Sequence, residues 1–188
     1  MKEANIFIKL LLLLVISMTN ISCTQLLVGG TASGGLILVQ ERSPEQAAKD
    51  IIIKTKIEEV FFSTNYDDIF SKIKVIVFEG KVLLVGTVVN ESSKSSAISI
   101  VKKVNGVKEI ADYIIVGKES VIDYLKDTRI SLEFKAMLLT DKDISEVNYS
   151  STTENRIIYI IGVSQNQEEL DKVLYHAANV AGVKKIIN

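Results

Sequence analysis

The residues that could carry catalysis are few and poorly grouped. His176 is the only histidine among the 188 residues, and acid–base catalysis would need a partner beside it. One His and one Cys cannot assemble a tetrahedral zinc site. Adjacent carboxylates point in different directions on a helix and cannot share a substrate, so we expect ordinary solvated charges. These pairs are Glu58-Glu59, Asp67-Asp68 and Glu168-Glu169. We therefore expect no catalytic residues, no metal and no cofactor.

The serine-rich segment offers no nucleophile either. Ser92, Ser93, Ser95 and Ser96 lie close together, but no Gly-x-Ser-x-Gly motif surrounds any of them. Such a motif would hold a serine on a tight turn where its hydroxyl is exposed to substrate. The sequence therefore indicates a protein that is not an enzyme.

Cys23 is the only cysteine, so it cannot form an internal disulfide. The segment before it contains Lys2, the apolar run Leu10–Ile16, and small or polar residues from Ser17 to Ser22. A helix that spans a bilayer needs about 20 mainly apolar residues, so this order is typical of a secretory signal peptide over residues 1–22. An uncleaved hydrophobic anchor with an incidental cysteine is the alternative.

The residues that end this segment resemble a bacterial lipobox. Ile21 and Ser22 directly precede Cys23, and Ser22 is the small residue that such motifs place before the lipid-modified cysteine, although Asn20 stands where leucine is usual. In a lipobox the thiol forms a thioether to diacylglycerol and the cysteine becomes the new N-terminus. Cys23 is therefore the predicted lipidation site, and residues 23–46, rich in glycine, predict a flexible lipidated tether. No Gly-Lys-Ser or Gly-Lys-Thr follows those glycines, so a phosphate-binding loop is disfavoured.

The composition favours a folded protein that does not bind polyanions. The chain has 22 Lys plus Arg against 23 Asp plus Glu, so it lacks the positive charge that nucleic acid binding requires. Hydrophobic residues make up 47% and charged residues 24%, a balance that excludes a disordered chain. The length suits two small domains of roughly 70 residues each.

An internal duplication covers most of the chain after the tether. A shift of 76 residues places Gly86 on Gly162 and Gly106 on Gly182. A slightly smaller shift places the segment Thr55–Ile57 on Thr128–Ile130. This second alignment predicts that the first helices of the two copies differ in length by a few residues.

Each copy predicts the order helix, strand, strand, helix, strand. In the first copy we expect helices over 47–63 and 92–104 and strands over 73–78, 82–89 and 107–116. In the second copy we expect helices over 121–139 and 167–181 and strands over 146–151, over 156–163 and from 183. The fold class is α+β, with two tandem repeats (47–117 and 118–188), each a small three-stranded mixed sheet packed against two helices. Because so small a unit is marginal alone, we expect the two copies to pack on one another.

Three short segments carry a resemblance to a known family. They are GKVLLVG at 80–86, NGVKEI at 105–110 and AGVKKI at 181–186. Each places a glycine at the end of a valine-rich strand or of a helix, and together they resemble the BON domain. The whole arrangement, from lipobox through tether to two repeats, is similar to the dual-BON outer-membrane lipoproteins of the DolP type.

The resemblance implies a non-catalytic lipoprotein of the outer membrane that faces the periplasm, binds anionic phospholipid and supports envelope integrity. Thr24, rather than Asp, follows the lipobox cysteine, which by the family's sorting rule permits passage to the outer membrane. In that family, lipid contact is assigned to the first helix of the second repeat, which corresponds here to Asp127–Leu139. The candidate phospholipid-binding residues are Arg129, Ile130, Leu132, Phe134, Lys135 and Leu138.

Two departures from the family bear on this lipid site. The chain has no Trp, and Arg129 stands where the family can present a membrane-inserting aromatic residue. The segment Lys118–Lys142 holds five basic residues against five acidic ones, so attraction to anionic headgroups should be weak and binding must rest on apolar contact.

The segment 127–139 has more apolar coverage than one core-facing stripe requires. The surplus could contact lipid, or it could be buried against the first repeat. A second function also stays open, in which the protein is an adaptor whose strand edges or helix faces dock another periplasmic or outer-membrane protein.

Overall fold

The computed structural model describes residues 43–118 and 120–188. The predicted signal peptide (1–22), Cys23 and the predicted tether up to residue 42 lie outside the described residues. Within the described ranges the order helix, strand, strand, helix, strand occurs twice, as expected. The first repeat comprises α1 (Pro44–Thr64), β1 (Ile73–Phe78), β2 (Lys81–Val88), α2 (Glu91–Lys102) and β3 (Glu109–Val116). The second comprises α3 (Val121–Thr140), β4 (Tyr149–Glu154), β5 (Ile157–Gly162), α4 (Gln167–Asn179) and β6 (Lys185–Ile187).

Each repeat forms a separate three-stranded mixed sheet, which confirms the predicted fold class. The strand orders are β1-β2-β3 and β4-β5-β6. Within each sheet the first two strands form an antiparallel hairpin, and the third runs parallel to the central strand. A parallel pair needs a crossover connection, which α2 and α4 supply. Several boundaries differ from expectation by two or three residues: α1 begins at Pro44 and not at 47, and β3 begins at Glu109 and not at 107. The strand expected over 146–151 spans Tyr149–Glu154, because Glu146–Asn148 forms a 3₁₀ turn.

The two helices of each repeat cover one face of its sheet. In the first repeat, Ile53, Ile57 and Phe61 recur every four residues on α1 and are buried against the sheet. In the second repeat, Ile130, Phe134 and Leu138 occupy the same positions on α3 and are buried in the same way. A spacing of four residues keeps side chains on one helix face, so each helix adds one continuous apolar stripe to its core.

The other faces of the two sheets pack on each other, which confirms that the two copies associate. Leu83 and Val85 of β2 form a separate buried cluster with Tyr159 of β5. The rings of Tyr113 and Tyr159 lie 4.9 Å apart between centroids. Because β2 is covered by helices on one face and by the second sheet on the other, its sequence shows no alternation of polar and apolar residues.

A buried carboxylate joins the repeats beside this apolar contact. Glu154 is 2% exposed and accepts hydrogen bonds from Thr87 Oγ1 at 2.6 Å and from Lys74 Nζ at 3.3 Å. Lys74 Nζ also donates to the carbonyl of Thr153 at 2.8 Å. A buried charge is costly without partners, so these bonds favour one relative orientation of the two sheets.

In the first repeat a buried aspartate on α1 holds the hairpin turn. The carboxylate of Asp50, 2% exposed, accepts hydrogen bonds from the backbone N–H groups of Glu79 at 2.7 Å and Gly80 at 2.9 Å. Glu79 and Gly80 have φ values of 52° and 81°, as the two central residues of a tight hairpin turn require. The same carboxylate therefore fixes both the turn and the rotation of α1 against the sheet.

The second repeat repeats this contact with Asp127 on α3. Its carboxylate, 3% exposed, accepts hydrogen bonds from the N–H groups of Asn155 at 2.6 Å and Arg156 at 2.7 Å. Arg156 has a φ of 65°, a conformation that costs a residue with a side chain roughly 1–2 kcal/mol. The charge-assisted hydrogen bonds offset this cost.

These contacts correct the alignment of the first helices. Asp50 and Asp127 are 77 residues apart, as are Ile57 and Phe134, so the structural shift is larger than 76 and not smaller. Thr55 is therefore equivalent to Leu132, and the expected match of Thr55 with Thr128 is wrong. That match places the buried Ile57 on the buried Ile130, which is one helical turn out of register because Ile53 is the structural equivalent of Ile130.

We expect Asp127→Ala to lower the free energy of unfolding by about 3 kcal/mol, because two partly buried N–H groups in a strained turn lose a charged acceptor. Asp171→Ala is the matched control: Asp171 is exposed and bonds only the side chain of Gln167 among the contacts described. Its effect should stay within about 0.5 kcal/mol. Urea unfolding followed by circular dichroism measures both, and equal values for the two variants would contradict the structural role of Asp127.

Candidate functional site

The outward face of α3 carries an apolar stripe that only Thr128 interrupts. Its large members Val121, Leu125, Leu132 and Leu139 are 74%, 60%, 65% and 62% exposed. At about 100° per residue these four and Ala136 fall within an arc of roughly 60°. We call these five residues the α3 stripe. Its exposure shows that this face is not covered by the first repeat, so the alternative in which both faces of the helix are buried is wrong.

Three of the six predicted lipid-binding residues lie on the opposite, buried face of α3, so the prediction is wrong for them. Ile130, Phe134 and Leu138 are 1%, 0% and 2% exposed and belong to the core of the second repeat. Asp127 anchors this face to the hairpin turn, so the three side chains cannot reach a ligand without unfolding the repeat. Of the predicted residues, Arg129, Leu132 and Lys135 lie on exposed positions.

The N-terminal part of α3 contributes exposed residues that the sequence reasoning missed. Ile122 and Tyr124 are 65% and 51% exposed, beside Val121 and Leu125 of the stripe. Ser120 caps the N-terminus of the helix, and its side chain accepts a hydrogen bond from the N–H of Asp123 at 3.1 Å. The missed signal was helical spacing: counting back from Leu132 by seven and eleven residues reaches Leu125 and Val121.

The cations on α3 are paired with neighbouring carboxylates. Arg129 Nη1 lies 2.5 Å from Glu133 Oε2, and Arg129 Nη2 donates to the carbonyl of Ala181. Lys135 Nζ lies 3.6 Å from Glu146 Oε1. Surface ion pairs of this kind add little stability, but they neutralise charge locally. The α3 stripe is therefore an apolar surface with weak net charge.

The equivalent face of α1 is different. With the structural shift of 77, the positions of Leu125, Leu132 and Ala136 are held in the first repeat by Ala48, Thr55 and Glu59. Only the position of Leu139 keeps a large exposed apolar residue, Phe62. The buried residues of the two helices match, so the fold does not require the stripe. An apolar surface that folding does not require indicates a binding role.

The remaining polar groups act as structural contacts. His176 Nε2 lies 2.8 Å from Asp141 Oδ2, and this hydrogen bond lowers the pKa of the Asp141 carboxyl. Glu169 is 3% exposed and accepts hydrogen bonds from the N–H groups of Ser145 and Gln165. The expectation of a solvated charge is therefore wrong for Glu169, which closes the loop before α4.

The described ranges also bear on metal binding and membrane spanning. Within residues 43–118 and 120–188, no group of three or more His, Cys, Asp or Glu side chains is placed to hold a metal ion. None of the helices in that part of the chain is both long and apolar enough to cross a bilayer.

Comparison with known proteins gives two matches to one family profile. The BON domain profile matches residues 49–118 and again 126–188. An Anaplasma centrale protein, named "Uncharacterized protein in gshII 5'region", is 36% identical over 141 residues, which are 74% of this chain and 91% of the relative. Outer membrane lipoprotein DolP of Haemophilus influenzae is 24% identical over 180 residues, 95% of this chain and 93% of the relative. Osmotically-inducible protein Y of Escherichia coli is 31% identical over 110 residues, 57% of this chain and 55% of the relative.

We expect Phe134→Ala to lower the free energy of unfolding by about 3–5 kcal/mol, because it empties a fully buried position. Leu132→Ala, two residues earlier on the exposed face, should change it by no more than about 0.5 kcal/mol. Urea unfolding of both variants checks the orientation of α3. A large loss from Leu132→Ala would mean that the α3 stripe is part of a core.

Proposed function

Since this chain belongs to the BON domain family and carries two copies of the domain, we propose that it is a non-catalytic lipoprotein of the outer membrane. In this proposal, Cys23 carries the lipid, the two domains face the periplasm, and the α3 stripe binds phospholipid of the adjacent leaflet. Such contact would support the integrity of the envelope. The relative that is named an outer membrane lipoprotein matches nearly the whole chain, which supports the location.

The observation that carries the lipid proposal is the α3 stripe. Complete burial of a Val or Leu side chain contributes roughly 1.5–3 kcal/mol, so even partial insertion of Val121, Leu125, Leu132 and Leu139 is favourable. The cations nearby are paired, so the contact is mainly apolar. Arg129 and Lys135 lie at its edge, where their long side chains could reach headgroup phosphates.

The lipid anchor and the α3 stripe would act together. One acyl chain gives only marginal membrane binding, whereas several chains on one cysteine give stable attachment. An anchored domain meets the bilayer at high effective concentration, so a modest apolar contact is sufficient to orient it. The anchor would therefore provide residence at the membrane and α3 would provide orientation.

The lack of Trp in the chain allows a direct test with one introduced Trp. In full-length protein reconstituted into vesicles of phosphatidylethanolamine and phosphatidylglycerol, Leu132→Trp should give blue-shifted emission that brominated acyl chains quench. Thr55→Trp is the matched control, because Thr55 holds the equivalent position on α1, and we expect little quenching there. The quenching of Leu132→Trp should change less than about twofold between 0.1 and 0.5 M salt, because the paired cations add little attraction.

The control separates contact by α3 from mere tethering, since the same anchor carries both tryptophans to the same surface. Equal quenching at positions 55 and 132, or none at 132, would rule out lipid binding by the α3 stripe.

The proposed lipidation of Cys23 can be tested separately. Metabolic labelling with a fatty acid analogue should label the wild-type protein and leave Cys23→Ala unlabelled, because the thioether forms only at a cysteine thiol. The variant should also keep its signal segment and migrate as a larger species. A Cys23→Ala protein that still carries label would contradict the proposed lipidation site.

A further inference from the structure

The first repeat carries an exposed aromatic cluster at the end of α1. Phe62 is exposed two residues before the end of α1, and Tyr66 and Phe70 follow in a short π-helical turn. The ring centroid of Phe62 lies 5.4 Å from that of Tyr66 and 5.3 Å from that of Phe70, and Tyr66 and Phe70 are stacked at 5.5 Å. Phe62 and Tyr66 are 58% and 53% exposed. We call these three residues the aromatic cluster.

Folding of the first repeat requires only part of this cluster. Phe70 is half-buried and packs against the core of the first repeat. Phe62 and Tyr66 do not contribute to that core and present their rings to solvent. Exposed aromatic side chains that touch one another, rather than being scattered singly, are typical of interaction surfaces.

Carboxylates surround the aromatic cluster. Residues 58–71 contain four acidic side chains and no Lys or Arg. Glu58 and Glu59 lie one helical turn before Phe62, and Asp67 and Asp68 follow Tyr66 directly. Glu58 is paired with Lys54 at 3.6 Å, whereas neither Glu59 nor Asp67 has a cation within 4 Å in the described part of the chain.

The second repeat lacks this combination. At the structural shift of 77, Glu58 corresponds to Lys135, Glu59 to Ala136 and Phe62 to Leu139. The buried residues of the first helix match between the two repeats, so the acidic and aromatic surface of α1 is not a requirement of the fold. The outward faces of the two first helices therefore differ in both charge and chemistry.

We propose that the aromatic cluster and its carboxylates dock a segment of a partner protein that presents Lys or Arg beside apolar side chains. Cations are attracted to the faces of aromatic rings, and the carboxylates would pair with the same basic groups. An anionic membrane surface is the competing occupant, but its phosphates would meet four carboxylates at this site. This surface is separate from the α3 stripe, so the inference does not depend on lipid binding.

Site-specific photo-crosslinking tests this proposal in the full-length protein in the cells that make it. A photoreactive phenylalanine analogue replaces Phe62 and retains an aromatic ring at that position. Irradiation should give a discrete protein adduct, and mass spectrometry should locate the cross-link in a partner segment with Lys or Arg next to apolar residues. The double variant Glu59→Lys with Asp67→Lys should reduce the adduct at least fivefold.

A matched charge control distinguishes the site from a general effect of net charge. Glu45 and Glu168 are exposed, with 78% and 84% of their side chains accessible, and lie outside residues 58–71. Glu45→Lys with Glu168→Lys changes the net charge equally and should leave the adduct yield unchanged. Circular dichroism confirms that each variant keeps its fold.

Several results would overturn the proposal. They are the absence of an adduct, an adduct with lipid or with a second copy of this chain, a cross-linked segment without basic residues, and an adduct that persists after the reversal of Glu59 and Asp67. A probe at Leu132 tests the lipid contact in the same experiment. Failure of either probe leaves the result of the other intact.

Discussion

In each repeat, hydrogen bonds between a buried carboxylate and the hairpin turn fix the position of the first helix. Asp50 and Asp127 each accept two backbone hydrogen bonds from the turn between the first two strands. The buried apolar side chains already favour one rotation of the helix, and two directional hydrogen bonds from one carboxylate restrict its rotation and sliding further. This contact therefore determines which side chains of α1 and α3 face the core and which face outward. The candidate site on α3 depends on that choice.

Much of the fold could be predicted because its signals are local. The strands of the first hairpin, the α2 and α4 helices, and the repeated glycines follow from periodicity and turn chemistry, and the matches to the BON profile confirm the resemblance carried by GKVLLVG and the two glycine-valine segments. The mixed sheets and the packing of one repeat on the other also agree with expectation.

The rotation of α3 could not be predicted, because its sequence is apolar on both faces. Ile130 and Leu132 are equally hydrophobic, and no pattern within the helix says which of them is buried. The deciding residue is Asp127, whose partners lie 28 and 29 residues further along the chain. A charged residue in a helix is ordinarily assigned to the solvent side, and Glu169 misled the sequence analysis in the same way.

The packing of the two sheets has a consequence for a single copy of the repeat. One face of each sheet packs against the helices of its own repeat. The other face packs against the second sheet, through Leu83, Val85 and Tyr159. A single copy on its own would leave this apolar inner face of its sheet exposed to water. Separation of the two copies would therefore expose apolar surface on both sheets, so each copy depends on the other for a complete core.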